Sequence, residues 1–202
     1  MQIVLATNNE DKIREIRNLL DDLPVTIMTR DDFLEFPEVK ETGDTLKANA
    51  ILKARTIAEF CDLPALADDS GLEVDALNGA PGVRSSRYAG ENATYADNNR
   101  KLLAELEGVP QDKRTARFRC VIAICWGGED IETVEGTADG FITDESAGIS
   151  GFGYDPVFFH PVSGKRFSEM SLEEKNLVSH RGQALQNIRT AIMERINKTR
   201  GL

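Results

Sequence analysis

Residues 2–12, Gln-Ile-Val-Leu-Ala-Thr-Asn-Asn-Glu-Asp-Lys, constrain the fold of this 202-residue chain more than any other segment. The apolar run at 3–6 is too short for a core helix and predicts a buried first strand. A polar turn then ends at Lys12, and the stripe Ile13, Ile16, Leu19 and Leu20 predicts a helix. A strand that empties into Thr7, Asn8, Asn9, Glu10 and Asp11 at a helix start places backbone N–H groups beside Lys12. That is anion-binding chemistry, with phosphate the first anion to consider. The same residues serve equally well as an ordinary βα turn whose Asn and Asp cap the helix. The segment has neither GxxxxGK[ST] nor GxGxxG spacing, so it belongs to neither common phosphate-loop class.

At this length the chain is one large domain or two tightly joined lobes, and we read 1–202 as a single domain of two lobes. Hydrophobic residues at 41% and charged residues at 29% are ordinary for a folded protein. A net charge of −10 argues against gripping a DNA or RNA backbone, while leaving room for a small anion where a few Lys and Arg converge. Glu10, Asp11 and Lys12 interrupt the apolar start, so no signal peptide is expected. No apolar run approaches the ~20 residues a membrane span requires, so no membrane partner is expected. Cys61, Cys120 and Cys125 are an odd number, and the last two lie an odd distance apart on a predicted strand, facing opposite sides. They read as reduced, buried thiols of a cytoplasmic protein. With His160 and His180 as the only histidines and no CxxC, any metal should be a hard ion on carboxylates, Mg²⁺ first.

Strands are predicted at 25–28, 65–67, 72–76, 116–126, 131–139 and 157–159, with an acidic loop at 30–43. Leu46, Ala50, Ala54, Ile57, Ala58 and Cys61 mark a helix face that Pro64 ends. A helix follows at 94–106, with Thr94 and Asp97 in a capping arrangement, and Ser171 with Glu174 forms a capping box for a short helix. Gly127-Gly128-Glu129-Asp130 signals a hairpin, and Leu185, Ile188, Ile192 and Ile196 line one face of a closing helix. Strands alternate with helices early and pair as hairpins late, which predicts a mixed-sheet α/β or α+β fold of two lobes around a cleft.

Asp68-Asp69-Ser70-Gly71 is expected where a buried strand ends, the usual edge for ligand sites in α/β sheets. Adjacent carboxylates repel, and beside a turn-permitting Gly71 they suit a Mg²⁺ cradle, although a solvated Asp-capped turn fits the same letters. Glu41 offers a further oxygen ligand, or simply a surface charge. Asn49 and Lys53, one turn apart on a polar helix face, are placed to point toward phosphates, although an exposed Lys on a helix usually does nothing specific. In Gly151-Phe152-Gly153-Tyr154-Asp155-Pro156, glycines bracket two aromatics suited to stacking on a planar ring, or to anchoring the loop by Phe152 in the core. Lys175, His180 and Arg181 supply donors near two helix ends, where they equally complement a macrodipole.

Together these elements resemble the inosine-triphosphatase-type, noncanonical purine nucleoside triphosphate pyrophosphatases. Thr7-x-Asn9-x-x-Lys12, Glu41-Thr42-Gly43, Asn49-Ala50 with Lys53-Ala54, Ala67 to Gly71, Gly79-Ala80-Pro81-Gly82, Gly151 to Pro156 and Ser179-His180-Arg181-Gly182 match that pattern in order, over nearly the whole chain. Asn8 stands where many members have glycine, and Ala48 where many carry glutamate. The resemblance implies an elongated two-lobed α/β fold with a central cleft, homodimeric, hydrolysing ITP, dITP and XTP to the monophosphate and pyrophosphate with Mg²⁺. It further implies that Thr7, Asn8, Asn9, Glu10, Asp11, Lys12 and Lys53 face the triphosphate and that Ser70 positions the substrate. Glu41, Asp69 and Asp68 would hold Mg²⁺, with Asp69 the candidate general base. Phe152, Gly153, Tyr154, Asp155, Lys175, His180 and Arg181 would contact the base, whose 6-oxygen Lys175 and Arg181 can meet only as donors.

Three rivals stand beside this reading. A septum-inhibitor-type pyrophosphatase acting on modified pyrimidine nucleotides fits less well with Phe152 and His180-Arg181. A non-catalytic nucleotide sensor would not need the carboxylates. An aspartyl-phosphate phosphatase wants Asp-x-Asp after the first strand, where this chain has Thr7-Asn8-Asn9.

Overall fold

The computed structural model describes residues 1–201, the side chains of 199 and 200 excepted. The strands are β1 (Gln2–Leu5), β2 (Thr26–Met28), β3 (Ala65–Val74), β4 (Pro81–Gly82), β5 (Thr115–Gly127), β6 (Asp130–Ile142), β7 (Phe158–His160) and β8 (Lys165–Arg166). The helices are α1 (Glu10–Leu20), α2 (Leu46–Cys61), α3 (Tyr95–Glu105), α4 (Leu172–Val178) and α5 (His180–Arg200). The strands form one sheet in the order β2-β1-β3-β5-β6-β7-β8, with β4 paired to β3. β1 runs parallel to both β2 and β3, which requires the crossovers that α1 and α2 supply. β3–β4, β6–β7 and β7–β8 are antiparallel, so the sheet is mixed, as the sequence pattern predicts.

The chain divides into two compact units. The first contains Met1–Asp69, Cys120–Gly136 and the chain from Arg181 onward. Its core gathers Ile3 and Leu5 of β1, Ile13, Ile16 and Leu20 of α1, Leu66 of β3, Ile122 and Ile124 of β5, and the α5 stripe Leu185, Ile188, Ile192 and Ile196. The second unit contains Ser70–Arg119 and Thr137–His180, and packs Leu72, Leu102, Phe118, Ile142, Phe158 and Phe167 together. Cys120 and Cys125 are buried and free, and Cys61 is half-buried and free. Among the described residues, no helix is long and apolar enough to cross a membrane.

Both expected caps form. Thr94 and Asp97 bond each other's backbone at the start of α3, and Ser171 and Glu174 do so at α4. Gly127 and Gly128 both take positive φ in the β5–β6 turn, a conformation glycine adopts without Cβ strain.

One expectation fails here. Asp68-Asp69-Ser70-Gly71 is no turn at a strand end; it lies inside the ten-residue β3, which continues to Val74. An extended path through two adjacent carboxylates is tolerable because each finds cations on its own side of the strand, as follows.

Candidate active site

Successive side chains of a strand point to opposite faces, and this separates Asp68 from Asp69. Asp68 is fully buried, its Oδ2 3.0 Å from Lys12 Nζ of α1 and 3.0 Å from Arg181 Nη2 of α5. Arg181, only 2% exposed, also donates through Nη1 to Glu15 Oε2 at 2.5 Å. Burial pushes Asp68 up, but Lys12, Arg181 and Lys53 hold its carboxyl far below the usual carboxylate range. Burial weakens the Arg181 charge, and Asp68 and Glu15 outweigh that and raise its pKa.

On the other face, Asp69 Oδ1 accepts from Lys53 Nζ at 3.2 Å, and Oδ2 from Asn49 Nδ2 at 3.3 Å. Lys53 Nζ also donates to Glu41 Oε1 and to the backbone carbonyl of Asp68, both at 2.7 Å. Lys53 is thus buried, contrary to an exposed polar helix face, and one ammonium serves two carboxylates. Burial pushes Asp69 up, and neighbouring Glu41 and Asp68 add to the rise against the pull of Lys53 and Lys12. Lys53 is raised despite its burial, because Asp69, Glu41 and Asp68 favour its charge.

The structure therefore brings Glu41 and Asp69 together and assigns Asp68 to a different set of partners. Among the described residues, no three His, Cys, Asp or Glu side chains are grouped to hold a metal ion. The physical reason is the strand alternation: a carboxylate trio needs both aspartates on one face, which a turn would allow and a strand does not.

At the first turn the capping alternative is realised. Asn9 caps α1, its Oδ1 accepting from the backbone of Asp11 and Lys12 at 3.0 and 3.2 Å, while its own N–H donates to Thr7 Oγ1. Asn8 and Glu10 are exposed, and Thr7, Asp11 and Lys12 half-buried. Ser70, next after Asp69, is half-buried.

In the second unit, Asp155 Oδ2 accepts from Lys175 Nζ at 2.6 Å and from the Phe152 backbone N–H at 2.8 Å. Lys175 Nζ lies 4.5 Å from the centroid of the half-buried Phe152 ring. The carbonyl of Gly153 accepts from Asn99 Nδ2, and the Tyr154 hydroxyl donates to the Ser85 carbonyl, burying Tyr154. Gly151 has φ +77°, and a Cβ there would lie 2.2 Å from Asp155 Oδ2, so this loop closes on its own carboxylate. His180 is stacked on Phe118 at 4.5 Å.

Arg181 donates through Nε to Asp68 Oδ2 and through Nη1 to Glu15 Oε2, a buried cation between two buried carboxylates. His180 packs against Phe118 and Phe167 of the second unit. Sequence reasoning missed Glu15 altogether. A glutamate between Ile13 and Ile16 flanks a buried stripe and asks for a cation, but its partner lies 166 residues away.

Comparisons with known proteins place the chain in a family. A model of the Ham1 family matches residues 3–191. The dITP/XTP pyrophosphatase of Geobacter sulfurreducens is 54% identical over 184 residues, 91% of this chain and 92% of that protein. A protein of the same name from Shigella flexneri is 50% identical, covering 95% of this chain and 98% of its own length. Among solved structures, a HAM1 protein from Coxiella burnetii superposes with a TM-score of 0.88 at 45% identity, covering 96% of this chain and 99% of the other. The match runs through the Glu41, Asp68-Asp69 and Phe152 segments alike, and this chain belongs to the Ham1 family.

Proposed function

We propose that this protein is a nucleoside triphosphate pyrophosphohydrolase that cleaves ITP, dITP and XTP to the monophosphate and pyrophosphate in the presence of Mg²⁺. The observation that carries the reading is the Glu41–Lys53–Asp69 group: two carboxylates converge on one buried ammonium in a Ham1-family chain. An ammonium held by hard oxygen donors marks a place where the protein accommodates a cation. Two carboxylates are also what Mg²⁺ ordinarily takes from a protein, the remaining ligands being water and substrate phosphates. Glu41 and Asp69 would hold it, without Asp68. When bound, the ion would supply positive charge that offsets the negative charge on the phosphate oxygens.

The chain's own residues account for the other steps. Lys53 and Lys12, with the turn of Thr7, Asn8, Asn9, Glu10 and Asp11, meet the triphosphate, the acidic members through their backbone. Ser70 orients the α-phosphate. A water attacks the α-phosphorus as its proton passes to the Asp69 carboxylate; the bond to the bridging oxygen breaks and pyrophosphate leaves. In the metal-free protein burial pushes the Asp69 carboxyl up, and a Mg²⁺ held on it would pull the other way. In the second unit, Lys175 is a donor suited to a 6-oxo purine and is mismatched with the 6-amino group of adenine. Asp155 holds it in place, and Phe152 offers a ring to stack on. We also read the protein as a cytoplasmic homodimer that binds neither nucleic acid nor membrane. Light scattering of the purified protein tests the dimer.

The deciding experiment is a nucleotide panel read for pyrophosphate. Release from ITP, dITP and XTP in large excess over ATP is expected. Release from modified pyrimidine nucleotides alone, or of phosphate alone, would overturn the reading.

A further inference from the structure

Asn49 is fully buried one helical turn before Lys53 on α2, a position where a leucine would be the better helix former. A buried amide is costly unless its polar atoms are bonded, and here both ends are used. Its Oδ1 accepts from the Gly43 backbone N–H at 2.8 Å, and its Nδ2 donates to Asp69 Oδ2 at 3.3 Å. The orientation is dictated by the partners. Gly43 N–H can only donate, so the carbonyl end must face it and the NH₂ end must face the carboxylate.

This joins the two carboxylates through one side chain. Gly43 lies two residues after Glu41, so fixing Gly43 fixes the end of the loop that carries Glu41. The approach is close: a Cβ on Gly43 would stand 2.7 Å from Asn49 Oδ1 and 2.8 Å from Ala48 Cβ. The other part of that loop rests on a ring cluster, Phe33 against Phe36 at 5.7 Å and both against Phe60 of α2 at 6.2 Å. Anchoring the loop alone needs only an acceptor for Gly43. The second half of the amide has a different use, holding one oxygen of Asp69 while the other meets Lys53.

We propose that Asn49 is a positioning residue for divalent-cation binding, setting Glu41 and Asp69 as a pair before the ion arrives. This rests on the reading of those two carboxylates as the Mg²⁺ ligands. Outer partners that orient ligating carboxylates typically affect metal affinity or activity by about 10–100-fold.

The test is Mn²⁺ binding to metal-free protein, followed by electron paramagnetic resonance, alongside the Mg²⁺ dependence of pyrophosphate release. For Asn49→Ala, Mn²⁺ affinity should fall about 10-fold or more, and the Mg²⁺ concentration for half-maximal rate should rise in step. The thermal midpoint of the metal-free protein would move far less than in a core deletion. Gly43→Ala is the second variant, since it leaves Asn49 present and crowds its carbonyl oxygen. It should weaken Mn²⁺ in the same direction, and decides the matter if Asn49→Ala does not fold. Mn²⁺ affinity within about twofold of wild type in the folded variant overturns the proposal, as does a wild-type protein that binds no Mn²⁺. A wild type that binds Mn²⁺ yet releases no pyrophosphate from any nucleotide would instead overturn the proposed activity, leaving the role of Asn49 to be decided by the binding data.

Discussion

The two faces of β3 at Asp68 and Asp69 place identical side chains under opposite physical regimes. On the Asp68 face, Lys12, Arg181 and Glu15 complete a buried network in which cations hold the Asp68 carboxyl ionised. On the Asp69 face, one lysine is shared by two carboxylates, and burial leaves Asp69 easier to protonate than usual. A network whose charges balance resists change and suits a structural role; an under-compensated one has room for another cation and for a proton. What decides between them is which way each side chain leaves the strand, not the residue type.

The largest expected effect tests the under-compensated face. Asp69→Asn should lower kcat by about 10²–10⁴-fold, the range for removing a general base. Its unfolding midpoint should fall less than that of Asp68→Asn, since Glu41 still compensates Lys53, although an amide can accept from only one of Lys53 and Asn49. Near-wild-type turnover at saturating Mg²⁺ would erase the distinction between the two faces.

Asp68→Asn should do the reverse. Removing one partner from a buried ion network leaves Arg181 and Lys12 under-compensated, at a cost of about 3–5 kcal/mol in unfolding free energy. Denaturant titration of both variants reads this, and a loss below about 1 kcal/mol would mean that Glu15 alone suffices for Arg181. The pH dependence has a definite sign. The folded-state pKa of Asp68 is depressed below its ordinary 3.8, so its contribution is fully present above that value and shrinks as pH falls below it. The stability gap between wild type and Asp68→Asn should therefore be constant from neutral pH to about pH 5 and narrow at pH 3.

Much of this was legible in the chain, for reasons that explain what was not. Periodicity exposed the α1, α2 and α5 stripes because each buries one face in a local pattern, and the caps at Thr94 and Ser171 are spelled within four residues. Glu41, Asp68 and Asp69 stood out together as residue types suited to a hard cation, without the strand direction that separates Asp68 from the other two. The path of β3 did not, because Asp-Asp-Ser-Gly is turn chemistry locally and becomes strand through sheet pairing with β1 and β4 and cations from α1, α2 and α5. For the same reason the tie of Arg181 to Glu15 was not legible: it is a tertiary fact with no sequence spacing to announce it.

Lys12 is where the comparison can be broken most finely, because it touches the structural network yet is partly open. Its Nζ pairs with Asp68 at 3.0 Å, while its side chain is 16% exposed, against 2% for Arg181. If Lys12 serves only Asp68, Lys12→Ala costs stability and leaves ligand binding alone. If it also meets phosphates, the variant should bind a non-hydrolysable ITP analogue about 10-fold more weakly. The monophosphate, with less charge to offer, should lose less. The stability cost should be smaller than for Asp68→Asn, since Arg181 still compensates the carboxylate. Calorimetric titration of both ligands separates the cases: unequal losses give Lys12 a second role at the phosphates, and no loss confines it to Asp68.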